Sequence, residues 1–274
     1  MSNFWQRALT GSIFVAVIVL AIIYKSWLFN VVFGLVGLLG LNEFYGLFKK
    51  SSTSPNKTLG NLFGLLIYLS AIAFLYVPEA SKYLFGFIFF LFTTVMLAEL
   101  YRNKKKPFEN IGITFLGIFY ILLPVILLNF LIKFDPETYQ ITEFWPVLSI
   151  FILVWCNDTF AYLVGRKFGT RKLFERISPK KSWEGFIGGL IFTLAGGTII
   201  AYFTEQSLFQ YLVYAFIISI IGTLGDLVES MLKRSLDVKD SGTILPGHGG
   251  ILDRFDAVLF IIPIIFYLHY FIFI

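Results

Sequence analysis

Four aspartates lie within or at the start of apolar segments in the C-terminal half of this 274-residue chain. Asp158 and Asp226 lie inside such segments, and Asp253 and Asp256 open the last one. Charged groups are costly in or near a lipid bilayer, so they are kept there mainly for function. Mg²⁺ prefers one or two carboxylates completed by substrate phosphates and water. The four aspartates therefore predict a site for one or two Mg²⁺ ions, although Arg254 offers neutralisation of Asp253 and Asp256 as an alternative.

Basic residues gather in a polar segment that precedes a long apolar one. Residues 166–181 hold seven lysines and arginines against one acid and end in Ser178-Pro179-Lys180-Lys181. Ser178 suits a helix N-cap and Pro179 the first helical position, so we predict a helix that starts there. Its free N–H groups and dipole would join Lys180 and Lys181 in binding phosphate. The alternative is a solvated loop that contacts anionic lipid head groups.

A second basic segment leads from Lys233 and Arg234 into a glycine-rich stretch at 240–250. Gly249 and Gly250 would let the backbone approach a ligand closely, and the neighbouring His248 is suited to binding phosphate or metal or to shuttling a proton. Together with the carboxylates, these groups predict phosphoryl or nucleotidyl transfer, which relies on positioning and charge stabilisation. The sequence has no Walker loop and no pattern for a serine or cysteine triad, which argues against a P-loop ATPase and against acyl transfer.

The composition indicates that a membrane-embedded scaffold positions these groups. The chain is 57% hydrophobic and only 14% charged, whereas a soluble domain has about a quarter of its residues charged. A membrane-spanning helix needs roughly 20 apolar residues. We therefore predict an all-α polytopic integral membrane protein of nine transmembrane helices, at 7–24, 27–48, 59–77, 83–101, 110–132, 143–164, 183–203, 209–232 and 252–273.

The distribution of lysine and arginine predicts how these helices are oriented. With the N-terminus in the cytoplasm, 19 of the 22 basic residues fall inside and only Lys25, Lys82 and Lys133 fall outside, as the positive-inside rule requires. The C-terminus would then lie outside, and the loops at 165–182 and 233–251 would face the cytoplasm. We divide the chain into N-terminal transmembrane helices at 1–140 and a catalytic region at 141–274.

A short pattern occurs twice at the inner ends of predicted helices. Leu-Asn-Glu-Phe-Tyr at 41–45 and Leu-Ala-Glu-Leu-Tyr at 97–101 are each followed by lysines. The pattern indicates either a duplicated helix pair or two ordinary interface ends, with Tyr and Lys at the lipid head groups. The sequence assigns the five N-terminal helices no chemical role.

The stretch 230–256 resembles the signature of the phosphatidate cytidylyltransferase family. That pattern runs Ser-x-apolar-Lys-Arg, four residues, Lys-Asp-x-small, two residues, then apolar-Pro-x-His-Gly-Gly-apolar-x-Asp-Arg-apolar-Asp, and this sequence fills it without departure. The segments at 157–162 and 178–185 are also similar to the family. The first 140 residues share only their hydrophobic character with it.

The resemblance implies a bacterial-type, Mg²⁺-dependent homodimer in the lipid of the cytoplasmic membrane, and we expect no nucleic-acid partner. It implies that CTP and phosphatidic acid react at the cytoplasmic face to give CDP-diacylglycerol and pyrophosphate. The implied metal ligands are Asp226, Asp253, Asp256 and Asp158. The implied catalytic residues are Asp226, Asp253, Asp256, Lys233 and His248. The implied substrate contacts are Asn157, Ser178, Lys180, Lys181, Lys233, Arg234, Lys239, Gly249, Gly250 and Arg254.

Two other functions fit parts of the pattern. The same CTP chemistry could act on another lipid phosphate or an isoprenoid phosphate, which a comparison of turnover would separate. A cation or solute transporter would use Asp158 and Asp226 as ligands near the bilayer midplane. The charged residues cluster on the predicted inner face, and the outer half lacks a matching polar path, so the pattern favours an enzyme over a transporter.

Overall fold

The fold is that of a computed structural model, in which residues 3–77, 79, 81–245, 247 and 249–273 are described. His248 lies outside the described residues, so its catalytic role stays a prediction. Backbone contacts divide the chain into unit 1, Met1–Thr142 with Leu236–Arg254, and unit 2, Glu143–Ser235 with Phe255–Ile274. The glycine-rich segment therefore groups with the N-terminal helices, whereas the predicted division at 140 places it with the C-terminal region.

The chain from residue 3 to 143 is almost entirely helical. One π-helical turn joins its fifth and sixth helices, and two very short strands end it. The elements are α1 (Asn3–Ile23), α2 (Ser26–Leu47), a 3₁₀ turn (Phe48–Lys50), α3 (Lys57–Tyr76), α4 (Ser81–Arg102), α5 (Pro107–Gly117), the π-helical turn (Ile118–Leu122), α6 (Leu123–Leu131), β1 (Lys133–Phe134) and β2 (Ile141–Glu143).

Helix α2 lies at the centre of unit 1. It packs against α1, α3, α5 and α6, and its side chains Phe29, Phe33 and Phe44 are fully buried. Tyr45 follows on the same helix, and its hydroxyl donates a hydrogen bond of 2.6 Å to the carbonyl oxygen of Thr114 on α5. Burial of large aromatic rings contributes most of the hydrophobic stabilisation of such a core, so α2 is held rigidly up to its last turn.

Unit 2 combines long helices with one β-hairpin. The elements after residue 143 are α7 (Trp145–Phe168), β3 (Lys172–Phe174), β4 (Ser178–Ser182), α8 (Trp183–Thr204), α9 (Leu208–Ser235), α10 (Leu252–Leu268) and a π-helical turn (His269–Phe273). The first residues of α10 group with unit 1, and the rest of the helix groups with unit 2.

Glycines allow α7 and α8 to approach closely. A Cβ added at Gly185 would lie 2.7 Å from the carbonyl oxygen of Ala161 and 3.0 Å from the Cα of Gly165. A Cβ added at Gly188 would lie 2.6 Å from Val164. Small residues at such crossings let helix backbones pack tightly in a membrane, and here they fix α8 against the half of α7 that carries Asp158.

We expect Gly185→Ala to destabilise the protein by about 1–3 kcal/mol, because backbone atoms of α7 cannot move aside as a flexible side chain would. Gly112→Ala on α5 is the matched control, since nothing lies within 4 Å of its added Cβ; there we expect no loss and about 0.5–1 kcal/mol of gain from helix propensity. Unfolding in detergent micelles measures both, and equal stability of the two variants would contradict the close crossing.

All nine predicted helical segments are helical in the described part of the chain, with ends within four residues of the prediction. Seven helices of the described residues are long and apolar enough to span a membrane, and α1 contributes a shorter apolar stretch at Ala8–Ile23. These findings confirm an all-α polytopic membrane fold. The sequence analysis did not predict the two small β-sheets.

The predicted helix start at Ser178 is wrong. Residues Ser178–Ser182 form β4, which pairs antiparallel with β3 in the register Lys172↔Ser182. The helix begins at Trp183, and the Ser182 hydroxyl caps it by accepting the Gly185 N–H at 3.2 Å. Ser182, four residues downstream, is thus a second serine suited to cap a helix. Because residues 178–182 pair with β3, the helix begins after Ser182 and not after Ser178.

Candidate functional site

A polar-edged cavity of about 550 Å³ opens in unit 2 between α7, the β-hairpin, α8 and α9. It gathers five predicted site residues that are widely separated in the sequence. These residues are Asn157, Asp158, Lys180, Lys181 and Asp226. Ser178, the first residue of β4, does not line the cavity. Other described residues complete the wall.

The two lysines reach the cavity from a strand rather than from a helix start. β4 ends at Ser182, so Lys180 and Lys181 are the two residues before its last one, and both line the cavity. The hairpin is held at its base because the Glu184 carboxylate accepts the Thr170 hydroxyl at 2.6 Å and the Arg171 N–H at 3.2 Å. The lysines are thereby placed by backbone pairing and by the first turn of α8, although not through the helix dipole.

Asp226 and Lys181 form an ion pair across the cavity. The Lys181 Nζ lies 2.7 Å from Asp226 Oδ2, and the second oxygen, Oδ1, accepts the Ser230 hydroxyl at 3.2 Å. Both side chains remain partly exposed, at 27% and 36%. Such a pair contributes at most about 1 kcal/mol to stability, so its main consequence is that both charged groups are oriented and accessible to a ligand.

Asp256 brings a further carboxylate to this region of unit 2. Its charge interacts most strongly with Asp226, then with Glu229 and Asp158, and its Oδ1 accepts the neighbouring Ala257 N–H at 2.7 Å. Carboxylates so near to one another repel unless a cation joins them. Across the residues that the structure describes, however, no group of three His, Cys, Asp or Glu side chains is arranged to hold a metal ion.

Asn157 supplies a buried amide at the cavity wall. The residue is only 5% exposed. It packs beside Gly189 of α8, where an added Cβ would lie 2.8 Å from Asn157 Oδ1. Within the described residues, Oδ1 has no hydrogen-bond partner. Leaving a buried acceptor unsatisfied costs about 1–3 kcal/mol, so a ligand that donates a hydrogen bond to Oδ1 would be favoured here.

Lys233 and Arg234 differ in their surroundings at the end of α9. The Lys233 Nζ lies 2.7 Å from Glu229 Oε2, and both side chains are buried, at 11% and 0% exposure. Arg234 is exposed in the last turn of the helix. The structure therefore places Lys233 in a buried ion pair and leaves Arg234 accessible, and the predicted phosphate contacts of both residues stay predictions.

Asp253 organises the glycine-rich segment of unit 1. Its Oδ2 accepts the N–H of Ser241 at 3.0 Å and the N–H of Gly250 at 2.8 Å. Gly249 between them has φ +84°, a left-handed conformation that favours glycine. Lys239 and Arg254 are exposed on the same segment. The predicted substrate contacts at Gly249 and Gly250 therefore lie beside a carboxylate that already binds the backbone.

Two further residues of the cavity wall were missed by the sequence analysis. Arg166 and Tyr162 line the cavity on α7, and the Arg166 Nη1 donates to the Tyr162 hydroxyl at 3.4 Å. Both follow Asp158 at intervals of four residues, which places all three on one helix face. That spacing is the signal by which the sequence could have included them.

Comparison with known proteins shows which family the chain resembles over its length. A model of the cytidylyltransferase family matches residues 5–272. The chain is 34% identical over 275 residues to the phosphatidate cytidylyltransferase of Bacillus subtilis (strain 168), which covers 98% of each chain. It is 51% identical over 121 residues to the phosphatidate cytidylyltransferase of Staphylococcus haemolyticus (strain JCSC1435), covering 43% of this chain and 46% of that protein. The similarity thus includes the N-terminal helices, which the sequence analysis had left outside it.

Proposed function

The chain belongs to the cytidylyltransferase family and is a nucleotidyltransferase, and we propose that it transfers CMP from CTP to phosphatidic acid. The products are CDP-diacylglycerol and pyrophosphate. The observation that carries this proposal is the cavity of unit 2, where Lys180 and Lys181 of β4 meet Asp226 of α9. A pocket with ammonium groups and carboxylates at its edge suits a polyphosphate and its counter-ion.

The reaction needs little from the protein beyond placement of charge. A phosphate oxygen of phosphatidic acid attacks the α-phosphorus of CTP, and the bond from this phosphorus to the oxygen bridging the β-phosphate breaks. The electron pair of that bond leaves with pyrophosphate. Because the nucleophile is already an anion, no strong general base is required, and stabilisation of the developing charge supplies most of the rate enhancement.

The residues of the cavity divide this task. Lys180, Lys181 and Arg166 are the cations at its wall, and they would hold the triphosphate and stabilise the departing pyrophosphate. Asn157 would accept a hydrogen bond from a donor of the nucleotide, which would provide the partner that its buried Oδ1 lacks among the described residues. Lys239, Arg234 and Arg254 are exposed cations that we assign to phosphate groups of CTP or lipid.

The carboxylates fit a divalent cation that substrate completes. Asp226 and Asp158 line the cavity, and the Asp256 carboxylate interacts electrostatically with both. A site of one or two carboxylates plus phosphate oxygens is typical of Mg²⁺. We propose that these three residues hold one or two Mg²⁺ ions, and Asp253 of unit 1 stays a predicted metal ligand. When bound, Mg²⁺ would neutralise charge on the nucleotide phosphates.

One assay tests the function. Purified protein is incubated with labelled CTP and phosphatidic acid, with and without Mg²⁺, and a lipid-soluble cytidine product is expected only when both substrates and the ion are present. Higher turnover on a prenyl phosphate than on phosphatidic acid would indicate a different lipid acceptor. Absence of any product, combined with solute uptake into sealed vesicles without CTP, would indicate a transporter instead.

We expect Lys181→Ala to raise the KM for CTP about 10- to 100-fold and to change the KM for phosphatidic acid much less, because a charge-assisted phosphate contact is lost. The matched control is Lys172→Ala, an exposed lysine of the same hairpin on β3 that does not line the cavity. Initial rates at varied CTP and fixed lipid measure this difference. A larger change for lipid than for CTP would move Lys181 to the lipid site.

The cellular setting is also part of the proposal. We propose that the enzyme is a homodimer in the bacterial cytoplasmic membrane, with its N-terminus and its site in the cytoplasm and its C-terminus outside. The orientation is supported by the distribution of basic residues, 19 of 22 on the proposed inner side, together with the location of CTP in the cytoplasm, whereas the homodimer is what the family resemblance implies. The alternative orientation would place the basic hairpin outside, against the positive-inside rule.

A further inference from the structure

Glu43 is a buried carboxylate on α2 that the proposed reaction does not use. It lies one helical turn before the end of α2, and the residue is only 6% exposed. A carboxylate in such a position is costly unless polar groups satisfy it. Two groups satisfy its Oε2, and both come from the segment that carries the family signature, whereas its Oε1 has no hydrogen-bond partner among the described residues.

The carboxylate of Glu43 binds both ends of the glycine-rich segment. Its Oε2 accepts the N–H of Leu252 at 3.0 Å and the hydroxyl of Ser241 at 3.3 Å. Leu252 is the first residue of α10, so Glu43 satisfies one of the free N–H groups at that helix start. Since Ser241 and Leu252 enclose the segment 242–251, one side chain fixes where the segment leaves and where it returns.

Two glycines of the segment pack directly on this carboxylate. A Cβ added at Gly242 or at Gly250 would overlap the carboxylate atoms of Glu43. The backbone therefore approaches Glu43 so closely that only glycine fits at both positions. This close contact and the two hydrogen bonds together attach the segment to Glu43.

Asp253 depends on the same attachment. It accepts the N–H groups of Ser241 and Gly250, which are the residues that Glu43 contacts. A shift of the segment away from Glu43 would therefore change the position of the Asp253 carboxylate. Displacement of a reacting group by 1 Å can lower a rate by about 10²-fold.

We propose that Glu43 is a positioning residue for the reaction, which holds segment 241–253 and thereby the carboxylate of Asp253. The inference rests on the proposed function, because it assumes that Asp253 acts on substrate or metal. It gives the N-terminal helices a part in the chemistry: α2 supplies the fixed point for the signature segment. It also separates the two copies of the pattern at 41–45 and 97–101, since only the first contacts that segment in the described residues.

Glu99, the equivalent residue of the second copy, is the matched control. It is also buried, at 4% exposure, and its oxygens accept the Asn110 amide at 2.6 Å and the Arg102 guanidinium at 2.5 Å. Glu43→Met and Glu99→Met each keep side-chain volume and remove a buried acceptor. A role limited to stability predicts similar effects of the two substitutions.

The experiment compares local amide exchange and turnover in full-length protein in detergent. We expect Glu43→Met to speed hydrogen exchange in peptides covering 241–253 roughly tenfold, with peptides covering 107–117 unchanged, since exchange reports local opening. Glu99→Met should show the reverse pattern. Per folded molecule, kcat should fall about 10- to 100-fold for Glu43→Met, with a smaller change of the KM for CTP, and much less for Glu99→Met.

Unchanged exchange of 241–253 in Glu43→Met, or an equal loss of kcat in both variants, would overturn the proposal. If Glu43→Met does not fold, Ser241→Ala removes one of the two hydrogen bonds alone, and we expect faster exchange of 241–253 there too; no change would again overturn it. Wild-type protein without transferase activity would refute the proposed function, while the exchange measurement would still decide whether Glu43 holds the segment.

Discussion

Asp226→Asn is expected to lower turnover about 10³-fold, which is the scale of losing a principal electrostatic contact to the transition state. The amide keeps the shape of the carboxylate and loses its negative charge. The ion pair with Lys181 at 2.7 Å would then disappear, and one proposed ligand of the divalent cation would become neutral. Turnover is measured as lipid-soluble cytidine product at saturating CTP and lipid, so that weaker binding alone does not account for the loss.

Asp135→Asn is the control for this substitution. Asp135 is an aspartate of the turn between β1 and β2, where it accepts the Thr138 hydroxyl at 2.6 Å, and it does not line the cavity. We expect full turnover there. Because the Asp226–Lys181 pair is partly exposed, unfolding of Asp226→Asn in detergent should differ from wild type by about 1 kcal/mol or less. Retention of more than a tenth of the activity by Asp226→Asn would remove this residue from the proposed site.

The helices were predictable because the bilayer imposes a strong and local signal. Apolar stretches of the required length occur with short polar breaks, and each predicted stretch is helical in the described residues. The gathering of Asp158, Lys181 and Asp226 at one cavity was also within reach, since the two aspartates break the apolar pattern of their segments and Lys181 ends a basic segment beside one. A costly group in an apolar stretch indicates function without any knowledge of its partners.

Helix-start preferences placed the start of α8 at Ser178, whereas the apolar span predicted at 183–203 begins at the observed residue, Trp183. Ser178-Pro179 and Ser182-Trp183 both satisfy the preferences of a helix start. The choice between them depends on pairing of β4 with β3, and on Glu184, which binds the backbone at Arg171. Strand pairing depends on a partner outside the segment, and the sequence of residues 178–182 alone does not predict it.

The contacts of Glu43 with the glycine-rich segment could not be predicted from the sequence. Its hydrogen-bond partners Ser241 and Leu252 are 198 and 209 residues away, so no periodicity or spacing connects them. The sequence did mark Glu43 as part of a repeated pattern at helix ends, but Tyr and Lys in that pattern have an ordinary explanation at the lipid interface. Burial distinguishes the explanations, because both glutamates of the pattern face inward and bind polar groups.

Asp253→Asn is the second substitution for which we expect a loss of about 10³-fold in turnover. Asp253 has two roles in our interpretation: it accepts the N–H groups of Ser241 and Gly250, and it is a proposed ligand of Mg²⁺. An asparagine retains one oxygen for the backbone donors and lacks the charge. The loss should therefore exceed that of Glu43→Met, which would move the carboxylate but leave it charged.

The dependence on Mg²⁺ distinguishes the two roles of Asp253. If the carboxylate binds the ion, residual activity of Asp253→Asn should need roughly tenfold more Mg²⁺ for half-saturation, because a charged ligand is lost. If it only orders the segment, amide exchange at 241–253 should rise while the Mg²⁺ dependence stays unchanged. Asp237→Asn is the control, since Asp237 is exposed with φ +55°, a conformation that asparagine also adopts. Full activity of Asp253→Asn would contradict both roles and confine the metal ligands to unit 2.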